Sequence, residues 1–180
     1  FGSCDAMIRV LSADKGALMQ SIDTGAYIPG SCVIDANCVY AGNYENTLTK
    51  ADLHTGAVLW TFDKAKGPLF APPAVSRSYV IAASHDSNLY CLDKNTGRKI
   101  WAFAALDAVN SSPIIAGDKV IFASDDGRIY ILALADGNKI WSYRLGMAVQ
   151  STACFAQGKI IIGSDDGFVY AFEQSEGENK

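Results

Sequence analysis

The sequence predicts an all-β fold built from one unit of about 40 residues that recurs along the chain. Glycines at positions 16, 56, 97 and 137 are separated by 40, 41 and 40 residues, and each tryptophan follows one of these glycines by four residues. Inside each unit, short runs of β-branched and aromatic residues show the period of two that is typical of strands. Gly and Pro recur too often between these runs for a helical repeat of the same length.

The clearest unit begins at Ser111 and predicts four strands, at 112–115, 119–123, 128–132 and 138–143. The links between them, "AGD", "DDG" and "ADG", place glycine where tight turns require a positive φ. Four antiparallel strands in about 40 residues is the pattern of one blade of a β-propeller. We therefore expect a β-propeller.

The remaining units divide the chain into blades. We predict complete blades at about 30–63, 71–104 and 111–144, partial blades at 1–23 and 151–173, and a polar tail at 174–180. An incomplete blade leaves an unpaired strand edge, which proteins normally cover. We therefore expect this chain to be the C-terminal portion of a larger ring of about seven or eight blades, with the missing N-terminal blades belonging to the same protein. A ring formed by two copies of the chain is the alternative.

Composition and charge exclude some classes of protein. The chain is 49% hydrophobic and 19% charged, which is ordinary for a globular domain. A net charge of −4 and singly scattered Lys and Arg argue against a nucleic-acid partner. Along the sequence the charges are too evenly spread to define a patch. No apolar run approaches the roughly 18 to 20 residues of a transmembrane segment.

The five cysteines are odd in number and form no CxxC pair. We interpret them as mostly buried free thiols, with one disulfide left open as the alternative. They are Cys4, Cys32, Cys38, Cys91 and Cys154.

Two segments carry a resemblance to a known family. "KADLHTGAVLW" (50–60) and "CLDKNTGRKIW" (91–101) resemble the A-x-D-x-x-T-G-x-x-x-W tryptophan-docking repeat of the pyrroloquinoline-quinone-type propellers, and "ILALADGNKIW" (131–141) is similar but degenerate. A WD40 propeller is the alternative, but no Trp-Asp dipeptide occurs.

The resemblance implies a structural role for a set of motif residues. It implies that the tryptophans dock against neighbouring blades, with the glycines in the adjoining turn, and that two aspartates and two threonines match the other positions of the motif. These residues are Trp60, Trp101, Trp141, Gly56, Gly97, Gly137, Asp52, Asp93, Thr55 and Thr96. The first unit departs from the motif, with Ser12, Lys15 and Gln20 at the aspartate, threonine and tryptophan positions, and the fourth has Ala133 and Asp136 at the first two.

The resemblance implies three classes of function. One is a non-catalytic scaffold similar to the BamB-type lipoproteins of the bacterial envelope, which bind a protein partner through loops and the funnel face. Another is a fragment of a dehydrogenase that uses pyrroloquinoline quinone with calcium, although the adjacent cysteine pair typical of that family does not occur here. The last is a ligand-sensing propeller attached to a larger enzyme.

We favour the scaffold, and expect no catalytic residue, no cofactor and no metal. The resemblance also implies a periplasmic or otherwise extracytoplasmic location.

A few further residues have two interpretations. The pairs Asp125-Asp126 and Asp165-Asp166 precede glycines, which favours hairpin turns over calcium sites, because calcium needs six to eight converging oxygens. His85 occupies the same turn position as Asp125 and Asp165. In "GPLFAPPAV" (67–75), Leu69 and Phe70 form a candidate partner-binding loop. The alternative is that Phe70 covers the interface between blades.

Overall fold

The computed structural model describes residues 1–173, which form seventeen β-strands in five antiparallel sheets. The first sheet contains β1 (Met7–Leu11) and β2 (Leu18–Asp23). Three four-stranded sheets follow: β3 (Val33–Asp35), β4 (Cys38–Gly42), β5 (Leu48–Asp52) and β6 (Val58–Phe62); β7 (Ala74–Val75), β8 (Tyr79–Ala83), β9 (Asn88–Asp93) and β10 (Lys99–Ala104); β11 (Ile114–Ala116), β12 (Lys119–Ser124), β13 (Arg128–Ala133) and β14 (Lys139–Arg144). The fifth contains β15 (Cys154–Ala156), β16 (Lys159–Gly163) and β17 (Val169–Glu173).

The predicted fold class is confirmed, since the described residues form repeated four-stranded antiparallel sheets and no helix. In the clearest unit the third strand starts where the sequence predicts, and the fourth starts one residue later. The first strand starts two residues later than predicted, at Ile114. The tail predicted at 174–180 lies outside the described residues.

The core lies between successive sheets because each central strand is apolar on both sides. In β8, Val80 packs with residues of the preceding sheet, whereas Ile81 packs with residues of the following one. Both are fully buried. Successive side chains of a strand point to opposite faces, so a continuous apolar run such as "YVIAA" needs a neighbouring sheet on each side. This stacking, with the first strands of neighbouring sheets in contact near the centre, is the arrangement of propeller blades.

Trp60 and Trp101 each contact the turn between the last two strands of the next sheet. Nε1 of Trp60 donates a hydrogen bond to the Lys94 carbonyl at 3.1 Å, and Nε1 of Trp101 donates to the Leu134 carbonyl at 3.0 Å. The two side chains are 9% and 8% exposed, so their donors have exchanged water for protein acceptors. A Cβ added to the turn glycine would lie 2.7 Å from either indole ring, so only glycine permits this approach.

The motif aspartate closes the turn that the tryptophan contacts. Oδ1 of Asp93 accepts hydrogen bonds from both the backbone nitrogen and Oγ1 of Thr96 at 2.8 Å, and from the Asn95 nitrogen at 3.0 Å. These bonds hold the pKa of Asp93 below its ordinary value, with the Thr96 hydroxyl as the largest cause. Asp52 and Thr55 repeat the arrangement one sheet earlier.

The two ends of the described chain depart from this pattern. At the first interface, Gln20 replaces tryptophan, and a Cβ on Gly56 would lie 2.6 Å from its Nε2. At the last, Trp141 packs against Tyr143 and Phe172 at centroid distances of 6.0 and 5.3 Å and is only half-buried. The sheet that follows it has three strands within residues 1–173, so in this part of the chain Trp141 contacts no turn equivalent to the one at Gly97.

All five cysteines are free thiols in the structure, as predicted. The expectation that they are mostly buried is wrong, because Cys4 and Cys154 are exposed and only Cys91 is fully buried. Burial raises the pKa of Cys91 to about 12, which keeps this thiol protonated and unreactive.

We expect Trp101→Ala to lower the free energy of unfolding by about 3 to 5 kcal/mol, since it removes a large buried ring and leaves the Leu134 carbonyl without its donor. Trp141→Ala is the matched control and should cost at most about half as much, because that ring is half-buried. Chemical denaturation of both variants measures the difference. Equal losses would show that the contact with the neighbouring turn adds nothing.

We expect Gly137→Ala to destabilise the protein more than Gly117→Ala. Both glycines have positive φ, 74° and 62°, so both variants carry a backbone cost of about 1 to 2 kcal/mol. A Cβ at Gly137 also meets Trp101 at 2.7 Å, while one at Gly117 meets nothing within 4 Å. The excess, about 1 to 3 kcal/mol, is the cost of displacing the indole, and thermal unfolding should reveal it. A larger loss at Gly117 would contradict this account.

Candidate functional site

The connections between sheets meet the central hairpin turns at one end of the propeller. Because strands alternate in direction, the connection from β10 to β11 lies at the same end as the turn between β8 and β9 and the turn between β12 and β13. We call this end the ladder face. It comprises residues 24–32, 43–47, 63–73, 84–87, 105–113, 125–127, 145–153 and 164–168.

Backbone hydrogen bonds join each connection to the turns of both sheets that it links. The Val109 nitrogen donates to the Ser84 carbonyl of the preceding sheet at 3.1 Å, and the Asp125 nitrogen of the following sheet donates to the Ala108 carbonyl at 2.9 Å. The same pair of bonds recurs one sheet earlier at Leu69 and His85, and one sheet later at Val149 and Asp165. The ladder face therefore has a backbone held from both sides.

These bonds bury one residue of each connection and bring the next beside a turn. Leu69, Val109 and Val149 are at most 1% exposed, whereas the residue after each is half-buried or exposed. Those following residues are Phe70, Asn110 and Gln150. They are spaced by 40 residues, as are the turn residues His85, Asp125 and Asp165.

Residues from turns and connections alternate in one line of contacts, which we call the ladder: Tyr44, Phe70, His85, Asn110 and Asp125. The ring centroid of Phe70 lies 5.0 Å from that of Tyr44 and 5.4 Å from that of His85. Nδ1 of His85 lies 3.1 Å from Oδ1 of Asn110, and Nδ2 of Asn110 donates to Oδ2 of Asp125 at 2.7 Å. Because Oδ1 of Asn110 can only accept, this arrangement requires the His85 tautomer that carries a proton on Nδ1.

The ladder changes character along its length. Tyr44 is 50% exposed, and its ring also contacts Tyr27 edge to face, so this end is aromatic. The other end is polar and anionic. There, Oδ1 of Asp125 is buried and accepts no hydrogen bond within residues 1–173. Burial is the largest cause that raises the pKa of Asp125, and the nearby charge of Asp107 acts in the same direction. Hydrogen bonds from the Asn110 and Gln150 side chains and the charge of His85 oppose this shift.

The second aspartate of each acidic pair has a structural role. Asp126 accepts hydrogen bonds from the Leu106 and Arg128 nitrogens at 3.1 and 2.8 Å and from the Tyr130 hydroxyl. Asp166 accepts from the Tyr170 hydroxyl at 2.6 Å. Both carboxylates thus complete their hairpins, which fits the interpretation of these pairs as turn residues.

The dehydrogenase alternative would need ligands for a calcium ion. No group of three or more His, Cys, Asp or Glu side chains converges anywhere in residues 1–173. The cysteines nearest in sequence, Cys32 and Cys38, are separate free thiols.

The candidate partner-binding loop divides into a buried and an accessible residue. Leu69 is 1% exposed and packs closely against Gly42, where any side chain at residue 42 would collide with it. A partner cannot reach Leu69 in the folded protein. Phe70 lies on the ladder between Tyr44 and His85 and remains accessible in part.

Sequence reasoning missed Tyr44 and Asn110 as members of this surface. The spacing of the repeat could have identified them. Asn110 lies 40 residues after Phe70, and Tyr44 lies 41 residues before His85, so each occupies the equivalent position in another unit. Neither residue belongs to the tryptophan motif, so the motif drew attention to the opposite end of the sheets. Residues 1–173 include no apolar helix long enough to span a membrane.

Stacked four-stranded antiparallel sheets, joined at one end by these backbone bonds, define a β-propeller. The family model for outer membrane protein assembly factor BamB matches residues 45–180, and the chain belongs to that family.

One curated relative agrees with this assignment, and two solved structures agree with the fold. The outer membrane protein assembly factor BamB of Xanthomonas campestris pv. campestris is 32% identical over 79 residues, which are 44% of this chain and 19% of that protein. The crystal structure of BamB from Moraxella catarrhalis matches with a TM-score of 0.84 at 20% identity, over 95% of this chain and 56% of that one. The computationally designed Ika8 protein matches with a TM-score of 0.87 at 18% identity, over 96% and 54%.

The two solved structures establish the fold, and the chain spans only about half of each.

We expect Asp125→Asn to make the protein more stable than wild type at pH 7. The folded pKa of Asp125 is raised, so its favourable contribution is present below its ordinary value of 3.8 and is lost as the pH rises through the folded pKa. The advantage of the variant should therefore grow between about pH 4 and neutral pH. Denaturant unfolding across this range measures it.

The neighbouring acid in the same turn is the control. Asp126→Asn should lower the free energy of unfolding at pH 7 by about 1 to 3 kcal/mol, because it replaces an acceptor of three hydrogen bonds. If Asp125→Asn is equally destabilising, Asp125 is a structural residue like Asp126.

Proposed function

We propose that this protein is a non-catalytic propeller scaffold that binds a protein partner through the ladder face. The observation that carries the proposal is the ladder itself, an accessible line of aromatic and polar side chains on a backbone held from both sides. A preorganised surface loses little conformational entropy on binding. Aromatic side chains at its centre supply the contacts that dominate protein interfaces.

Membership of the family supports a more specific role. The relatives are named as outer membrane protein assembly factors, and we propose that this chain also acts in the assembly of outer membrane proteins. That role places it outside the cytoplasm, in the bacterial envelope. The dehydrogenase alternative is less well supported, because the described residues bring together no set of metal ligands.

The proposal predicts that loss of the gene lowers the amount of outer membrane proteins in the bacterium that encodes it, and that the wild-type gene restores them. Tyr44→Ala should restore them poorly, since loss of one interface aromatic weakens binding by roughly tenfold. Quantifying outer membrane proteins in membrane fractions measures the effect. Immunoblots check that the variant is present at wild-type levels.

Leu59→Ala is the matched control. Leu59 is 50% exposed, like Tyr44, but lies on the outer strand β6, away from the ladder face. We expect this variant to restore outer membrane proteins fully. If Tyr44→Ala restores them equally well, the ladder is not the partner-binding surface, and if gene loss has no effect, the assembly role is wrong.

A further inference from the structure

The two ends of the propeller differ in charge. The connections of the ladder face contain eight acidic residues and two lysines, a net charge of −6 with histidine counted as neutral. The connections at the opposite end contain three acidic and four basic residues, a net charge of +1. The even distribution of charge along the sequence therefore does not persist in the folded protein, because alternate connections return to the same end.

The charge and the aromatic side chains coincide on the ladder face. Tyr44 and Phe70 provide an apolar contact area at one end of the ladder, and Asp125 provides a carboxylate at the other. Asp165 occupies the equivalent turn position one sheet further and is exposed. Unlike Asp126 and Asp166, neither Asp125 nor Asp165 accepts a hydrogen bond from a tyrosine among residues 1–173.

The position of Asp125 is also unfavourable for a carboxylate, which lowers the stability of the fold. Oδ1 is buried without a hydrogen-bond donor in the described part of the chain, and an unpaired buried oxygen costs stability. Asparagine would accept the same hydrogen bond from Asn110 and carry no charge. A charged group placed where it lowers stability is a common mark of a binding surface.

We propose that the ladder face recognises an extended segment of the partner in which lysine or arginine lies close to an apolar side chain. The apolar side chain contacts Tyr44 and Phe70, and the cation lies near Asp125 and Asp165. The inference rests on the proposed function, since it names the chemistry of the partner that the scaffold binds. The local negative potential stabilises a cation at this position. The cation in turn reduces the repulsion between the carboxylates of this end.

The same negative charge argues against nucleic acids and anionic membranes as the partner of the ladder face. Phosphates of nucleic acids and anionic lipid headgroups would meet connections that carry a net charge of −6. Like charges placed across an interface are strongly unfavourable. A protein segment with positive charge is therefore the occupant that fits.

Labelled peptides test this recognition directly. The probe is a twelve-residue peptide in which lysine and leucine alternate with glycine, and its controls replace either lysine by glutamate or leucine by serine. Fluorescence anisotropy measures binding to the whole chain at low and high salt. We expect the lysine–leucine peptide to bind, more weakly at high salt, and the glutamate–leucine peptide not to bind.

Matched double variants locate the site. Asp125→Asn with Asp165→Asn should weaken binding roughly tenfold, as expected for the loss of two charge pairs of up to about 1 kcal/mol each. Asp118→Asn with Asp136→Asn removes the same charge from the opposite end and should have no effect. Tyr44→Ala should weaken binding of the lysine–leucine peptide but not of the lysine–serine peptide.

Several outcomes would overturn the inference. They are equal losses for the two double variants, equal affinity for the glutamate–leucine peptide, or no binding of the lysine–leucine peptide at all. If the peptides behave as expected while loss of the gene leaves outer membrane proteins unchanged, the recognition chemistry stands and the assembly role fails. If the gene is required but the peptides do not bind, the scaffold role stands and the basic segment is wrong.

Discussion

Each central sheet of this protein is apolar on both faces, and the whole architecture depends on covering both. Val80 and Ile81 are adjacent in β8 and both fully buried, one against each neighbouring sheet. Such a sheet cannot be stable alone, because one apolar face would remain in water. Stacking sheets side by side solves this, and it makes every interface between sheets a shared core.

The contacts that align the sheets lie at both ends of these cores. At one end, Trp60 and Trp101 lie over a glycine in the turn of the next sheet and donate to a carbonyl beside it. At the other, backbone bonds such as Val109 to Ser84 tie each connection to the turn of the preceding sheet. The two sets constrain the same sheets from opposite ends. On the ladder face, side chains outside the ladder, such as Ser84 and Asp126, add hydrogen bonds to the connections.

Because other residues align the sheets, the ladder residues are available for binding a partner. Asp126 and Tyr130 complete their hairpin, and Val109 lies in the core. By contrast, the side chains of Tyr44, His85 and Asp125 contact other members of the ladder, namely Phe70 and Asn110. Residues that can vary without loss of the fold are where a repeat protein acquires its partner. In our proposal, the change from aromatic side chains at one end of the ladder to a carboxylate at the other therefore determines which partner this protein can bind.

The sequence by itself determined the repeat length, the order of strands and the turns, because these follow from local periodicity and from glycines that adopt positive φ. It also indicated the family through Asp, Thr, Gly and Trp at fixed offsets. It could not show that Trp141 is half-buried or that Leu69 is inaccessible, since burial depends on what the next sheet provides.

Only the tertiary structure decided the composition of the ladder face. His85 and Asn110 lie 25 residues apart and Asn110 and Asp125 lie 15 apart, so no local pattern brings them together. The net charges of the two ends have the same origin. Antiparallel strands send alternate connections to opposite ends of the sheets, and this sorting turns an evenly charged sequence into a folded protein with one acidic end.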